Sequence, residues 1–414
     1  MNPTPDDLAT PTECLIDGKH SPRNPSVLRR NRRRRMTLAA LPAVAIAATA
    51  CQPRLGTFLP TTVNATYNYS VCDIVREAQA LGATIQRVQQ VADTPNGLNP
   101  LVATLHDAGI DTHLTFKANV GIPRTLLPDD PNIPGDENAA AGTTSTEYRR
   151  GLSQRLDEYR ALTGSPAPLI AIENEANHGQ FYDGTAADYL TELAIAVEVA
   201  HGQGVKVTDS GIATKAVKLL AWNHIRSTQG KTAADAYART TFRSAADNND
   251  LPIRDQLLAI SATEPDPHSR LGNAVLRQNW QDADQMLAAY GNGGGQIPID
   301  YVNFHWYVPD EPNTSGYSDK QSLLDTIGAL ESITGLQAVT NEIGQHGSDL
   351  EAVTNTLDVV VREKPLPHVM WFDADGSPAK GLFNPLTPGD LRPTGQAFRS
   401  YVTPNAYPPS SCDN

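Results

Sequence analysis

From about residue 56 onward, short apolar runs alternate with longer stretches in which apolar residues recur every three or four positions. The first pattern is that of buried β-strands, the second that of helices with one buried face. Strands are expected over Thr84–Val88, Thr112–Phe116, Pro168–Ile172, Val205–Ser210, Asp300–Tyr307, Leu336–Val339 and His368–Phe372. The first strand of the series is either Gly56–Leu59 or Thr61–Val63. Helices are expected over Ser70–Leu81, up to Asp107-Ala108-Gly109, and from Ser145 with Tyr148, Leu152, Leu156 and Tyr159 on one face. Further helices are expected over Ala186–His201, Lys320–Ile333 and Asp349–Glu363, and a last one opens at Leu391.

Apolar strands that alternate with helices imply a parallel sheet covered by helices. Eight such units predict an α/β protein built as a single (β/α)8 TIM barrel over residues 51–414. No repeat with a period of about 20–50 residues is visible, which excludes a solenoid. The stretch from Ser210 to Ile299 is too long for one connection and holds helical patches at Thr232–Arg243 and Leu271–Tyr290. It predicts an inserted helical region, a lid, between strands 5 and 6. Asn119–Thr144 is rich in Pro, Gly, Asp and Asn. A loop that long in a compact domain is usually functional, here as a shaper of the barrel rim.

The candidate chemistry lies at strand ends. Ile172-Glu173-Asn174-Glu175-Ala176-Asn177 and Val339-Thr340-Asn341-Glu342-Ile343-Gly344 each carry an Asn-Glu pair just after an apolar run. In a barrel of this kind the carboxyl ends of the strands form the active-site face. Two glutamates there are what retaining glycoside hydrolysis needs. Either glutamate alone reads as a solvated loop carboxylate; the pair gains weight from its company. Arg87 stands on the second strand, His305 and Tyr307 end the sixth, and Trp371 ends the eighth.

This order resembles that of the clan A glycoside hydrolases over roughly Gly56 to Val402. In that clan the acid/base follows strand 4 and the nucleophile follows strand 7. Asn174-Glu175, His305 with Tyr307, Glu342 and Trp371 occupy matching places. Ala176 stands where many members have Pro, so no family within the clan is assigned.

The resemblance implies an exported enzyme that cleaves β-glycosidic bonds with retention. Glu342 would attack the anomeric carbon. Glu175 would first protonate the leaving oxygen and then activate water. Tyr307 and Arg87 would keep Glu342 ionised, Asn174 would bond the substrate 2-OH, and Trp371 would floor the sugar site. Blander roles stand beside these. The blander reading makes Arg87 only a core ion-pair partner and His305 a satisfied strand-end histidine. Trp306 is expected to pack against the insertion, and Glu173 to point away from Glu175. His113, Asn177 and His178 are further rim candidates. The second functional reading is a non-catalytic glycan-binding barrel, the third an unrelated barrel hydrolase or lyase. The presence of both glutamates favours catalysis over the second. The lack of a Gly-rich phosphate loop after strand 7 or 8 speaks against the third.

Residues 1–50 read as a disordered arm and export signal. The Arg29–Arg35 cluster precedes a short apolar run from Met36 to Ala50, too short for a membrane span but suited to a signal sequence. Ala48-Thr49-Ala50-Cys51 fits either a cleavage site or a lipid anchor at Cys51. The chain carries a net charge of −13. Residues 1–50 hold eight Arg/Lys and four Asp/Glu, so the remainder carries −17. Such a body argues against nucleic acid as a partner; the expected partner is a carbohydrate, and the expected state a monomer. No cofactor or metal is expected, since no Cys-x-x-Cys or His-Glu-x-x-His spacing occurs. Of four cysteines, Cys14 leaves with the signal; if Cys51 takes the anchor, Cys72 and Cys412 remain as an even pair and are expected to form a disulfide.

Overall fold

The computed structural model describes residues 53–59, 69–92, 96–118, 144–243, 250–290, 297–308, 319–345, 349–372, 381–384, 387, 389–402 and 407–412. The expected export signal, Cys51, the alternative first strand at Thr61–Val63 and most of the Asn119–Thr144 loop lie outside them. The body, Pro53–Asn414, is one compact unit.

Eight parallel strands make a single sheet in the order β5-β4-β3-β2-β1-β8-β7-β6. They are β1 (Arg54–Phe58), β2 (Ile85–Val91), β3 (Asp111–Lys117), β4 (Ile170–Ile172), β5 (Val207–Thr208), β6 (Val302–Val308), β7 (Ala338–Gln345) and β8 (His368–Phe372). Isolated bridges, Thr208 with Tyr301 and Ile212 with Phe304, join β5 to β6. Ile212 donates to the Asn303 carbonyl at 3.1 Å, and His305 donates to the Ile212 carbonyl at 2.9 Å. The ring therefore closes, and the fold is a (β/α)8 barrel. The β5 strand is shorter than expected because Asp209 leaves the ladder. Its carboxylate instead accepts from the Gly211 and Asn303 backbone N–H groups.

Helices follow the strands in turn: α1 (Val71–Leu81), α2 (Pro100–Asp107), α3 (Ser145–Thr163), α4 (Ala186–Gly202), α9 (Asp319–Thr334), α10 (Leu350–Leu357) and α11 (Pro393–Arg399). Their starts are written locally. Ser70 with Asp73, Thr144 with Glu147 and Thr185 with Asp188 form reciprocal capping boxes, which satisfy N–H groups that a helix leaves unpaired. The helix expected to run to Glu363 instead passes into a π-helical turn, Asp358–Glu363.

Between β5 and β6 stand α5 (Thr214–Gln229), α6 (Lys231–Thr241), α7 (Asp250–Ala259) and α8 (Ala274–Ala289). Here α5 closes the barrel layer, and the rest is the expected insertion. Trp222 of α5 and Trp280 of α8 meet edge to face at 6.2 Å, both buried. Truncating a buried Trp costs about 3–5 kcal/mol in proteins generally, so α8 is firmly seated.

Cys72 and Cys412 form a disulfide, with Cα atoms 5.1 Å apart. The bridge ties α1 to the C-terminal segment, which also packs there through the Tyr407 hydroxyl donating to the Ala83 carbonyl at 2.9 Å. Replacing both cysteines by Ser is expected to lower stability by about 2–5 kcal/mol, with kcat unchanged. A urea midpoint that does not move would contradict this.

Candidate active site

At the carboxyl ends of the strands lies a cavity of about 710 Å³. Asn174, Glu175, Tyr307 and Glu342 line it, with Phe58 and Phe372 as aromatic walls. On the far side α8 contributes Leu276 and Asn279, so the insertion does face the site.

Glu342 occupies a place inside β7 rather than beyond it, because a register shift lies between Thr340 and Ile343. The shift turns Asn341 and Glu342 together toward the barrel mouth. Glu342 Oε2 accepts from Arg87 at 2.7 Å, and Oε1 accepts from the Tyr307 hydroxyl at 2.6 Å. Burial pushes the Glu342 carboxyl up. The charges of His305 and Arg87 and the Tyr307 hydrogen bond outweigh it, so its pKa falls below the ordinary value. Burial, and then Glu342 itself, hold the Tyr307 hydroxyl protonated far above its usual range.

Arg87 is wholly buried at mid-strand and spends its guanidinium on four groups. It donates to Thr115 Oγ1 at 2.8 Å, the Asn341 carbonyl at 3.1 Å, Glu342 and Asn174 Oδ1 at 2.6 Å. It also lies 4.4 Å over the Phe58 ring. It is thus an ion-pair partner and an organiser of both Asn-Glu strings at once.

Glu175 stands three residues beyond β4. Its Oε1 lies 2.8 Å from His305 Nδ1, and His305 Nε2 lies 2.9 Å from Asn341 Oδ1. Oxygen acceptors on both ring nitrogens suit the doubly protonated imidazolium. Burial alone would depress the His305 pKa, but the charges of Glu342 and Glu175 raise it. His305 Nδ1 also lies 3.8 Å from Glu342 Oε1, so the histidine stands between the two glutamates. One carboxylate oxygen from each glutamate and a nitrogen of His305 all fall within 4.8 Å of one another. A cation there would meet oxygens already engaged by Arg87 and Tyr307, beside a guanidinium. The donor set reads as hydrogen-bonded carboxylates rather than metal ligands.

Six of the seven expected site residues come together: Arg87, Asn174, Glu175, His305, Tyr307 and Glu342. Trp371 does not. Its ring is buried and packs edge to face on Phe398 of α11 at 6.2 Å. Successive strand residues point to opposite faces, so Phe372 takes the place by the cavity, 5.5 Å from Phe58 and 5.9 Å from Tyr307. His113 is also no rim residue; it is buried in the barrel, paired in register with Arg87. Asn177 is buried too, bridging the Asn279 carbonyl and the Ala213 N–H. His178 does line the cavity. Trp306 packs under the Lys218 ammonium of α5 at 4.7 Å.

Sequence reasoning missed Asn341 as the second partner of His305. It also missed Gly211 (φ 79°), where a Cβ would run into the His305 ring. Of these, only the Asn341-Glu342 repeat of the Asn174-Glu175 pattern was there to be read.

No family model matches the chain, and no curated protein matches it. Several solved structures are similar in outline. A GH128 (subgroup I) endo-beta-1,3-glucanase from Amycolatopsis mediterranei, in complex with laminaripentaose, is 11% identical over 84% of this chain and 99% of that one, with a TM-score of 0.42. A family 39 glycoside hydrolase from Bacteroides cellulosilyticus is 14% identical over 85% and 64%, TM-score 0.45. A glucosidase from Croceicoccus marinus is 10% identical over 84% and 66%, TM-score 0.47.

Proposed function

We propose that the chain is a glycoside hydrolase that cleaves β-glycosidic bonds with retention through Glu342 and Glu175. One observation carries the reading: two glutamates on one cavity wall, with oxygens within 4.8 Å, in unlike surroundings. Retaining enzymes hold their carboxyls about 5–5.5 Å apart, whereas inverting ones leave about 6.5–9.5 Å for a water. Glu342, clamped by Arg87 and Tyr307 and held ionised, is the nucleophile that bonds the anomeric carbon. Glu175 gives its proton to the departing glycosidic oxygen. The same carboxylate then takes a proton from the water that cleaves the glycosyl-enzyme. His305, bonded to Glu175 Oε1, fixes that carboxyl and leaves Oε2 for the glycosidic oxygen. Asn174, oriented by Arg87, offers its amide to the 2-OH. Phe58 and Phe372 supply the apolar wall that the sugar faces.

The expected substrate is a neutral β-linked glycan, in keeping with the acidic body. A screen of aryl β-glycosides identifies the sugar. Proton NMR of the early product is then expected to reveal the β anomer first. An α anomer at the earliest time point would overturn the double-displacement scheme. Export through the residue 1–50 signal, with or without an anchor at Cys51, belongs to the same proposal. The mass of the mature N-terminus in the producing cell tests it.

A further inference from the structure

Two more buried glutamates stand next to the site and have no task in the hydrolytic scheme. Glu173 follows β4 directly and is fully buried; its Oε1 accepts from the Ala118 N–H at the end of β3, at 2.6 Å. Glu192 is fully buried on α4, and its Oε2 accepts from the Tyr182 hydroxyl at 3.3 Å. Each carboxyl acts on the other as a hydrogen-bonding neighbour. If both were ionised, Glu173 Oε2 and Glu192 Oε1 would be buried acceptors with no donor between them. Two adjacent carboxylates out of water are strongly disfavoured, and one proton held between them removes both faults. The remaining single charge faces Lys117 of β3.

The backbone at this point needs support. Glu173 (φ 64°) and Glu175 (φ 43°) are both left-handed, on either side of Asn174. Non-glycine residues hold such angles only where the surroundings impose them. Besides Ala118, the anchors run to α4. The Tyr189 hydroxyl donates to the Ile172 carbonyl at 3.2 Å and accepts from the Ser210 N–H at 2.8 Å. The Ser210 carbonyl in turn accepts from the Glu175 N–H at 3.0 Å.

We propose that Glu173 and Glu192 share a single proton and so pin to α4 the backbone that is left-handed at Glu173 and Glu175, which makes Glu192 a positioning residue for Glu175. The catalytic half of this rests on the proposed role of Glu175; the shared proton does not. Burial, then Glu192, pushes the Glu173 carboxyl well above the ordinary range, and burial brings Glu192 to about 7. The Ala118 N–H and then Lys117 pull Glu173 down, and Glu173 and then the Tyr182 and Tyr148 hydroxyls pull Glu192 down, without reversing either shift. A carboxyl raised on folding gives stability that is complete below its unfolded value of 4.5 and is lost as pH rises through its folded value, about 7.

The test compares the full chain with Glu192→Gln and Glu192→Leu. Between about pH 5 and pH 8 the wild-type melting point should fall by on the order of 5 °C more than that of Glu192→Gln. The glutamine carries a permanent N–H donor for Glu173 and needs no proton. Equal slopes would overturn the shared proton. On a glycoside that the wild type cleaves, Glu192→Gln should keep kcat within about threefold, while Glu192→Leu loses roughly 10²-fold in kcat with KM little changed. A Leu variant as active as the wild type would overturn the positioning role. A wild type inactive on every glycoside removes the hydrolytic reading and the positioning role with it, while the melting series still decides the shared proton.

Discussion

Glu342→Ala is expected to lower glycoside hydrolysis by roughly 10⁴–10⁶-fold, the scale on which loss of a covalent nucleophile is felt. The fold should survive, because the change removes a charge from a cavity wall and leaves Arg87 with its Thr115, Asn341 and Asn174 acceptors. Added azide should enter the space left and attack the anomeric carbon from the nucleophile's side, giving an α-glycosyl azide from an activated β-glycoside. Glu175→Ala should behave differently. The glycosyl-enzyme still forms from substrates with good leaving groups, and azide then yields the β product. Identical azide anomers from the two variants would reverse or abolish the assignment of roles. Near-native activity of Glu342→Ala would remove Glu342 as the nucleophile.

Arg87→Met should damage stability and turnover together. The methionine fills part of the space but leaves Glu342, 9% exposed, without the guanidinium on Oε2 and with only the His305 charge, 3.8 Å from Oε1. Breaking one side of a buried ion pair costs about 3–5 kcal/mol. The change also frees Asn174 Oδ1 and the Asn341 carbonyl, so both Asn-Glu strings lose their common brace. A fall in kcat of roughly 10²-fold or more should accompany the loss of stability, since misplacement by about 1 Å has that effect. Arg87→Lys separates the two effects. A lysine restores a charge beside Glu342, but a single ammonium cannot span four acceptors in one plane. Stability should then recover in large part, and kcat should not. Urea unfolding with steady-state kinetics on one substrate checks both variants. A stable, fully active Arg87→Met would reduce Arg87 to packing.

The readable parts of the site share a property: each is announced by neighbours in the chain. Asn174-Glu175 and Asn341-Glu342 follow apolar runs, and His305 and Tyr307 sit two positions apart at the end of another. Period-2 alternation puts such a pair on one side of a strand. The same alternation defeats the Trp371 expectation, because whether residue 371 or 372 faces the cavity depends on a register no local pattern reveals. His113 was misplaced for a related reason. His113 stands at the start of its strand, which runs on through Lys117, so its side chain lies below the mouth of the barrel.

What the sequence by itself determined is the alternation of eight strands with helices, the capped helix starts, the insertion after β5 and the positions of the two glutamates. These depend on local propensity and on the burial pattern over short windows. The Cys72–Cys412 pairing could also be reasoned out, since few cysteines left few choices. Only the tertiary structure decided which groups stand around each glutamate. Arg87 meets Glu342 across 255 residues of chain, and His305 meets Glu175 across 130. The bulge in β7, the left-handed backbone at Glu173 and Glu175 and the cleft for the His305 ring beside Gly211 are likewise products of ring closure. A barrel brings residues from distant strands to one mouth. The hydrogen bonds that separate a nucleophile from an acid are made there, where no sequence window reaches.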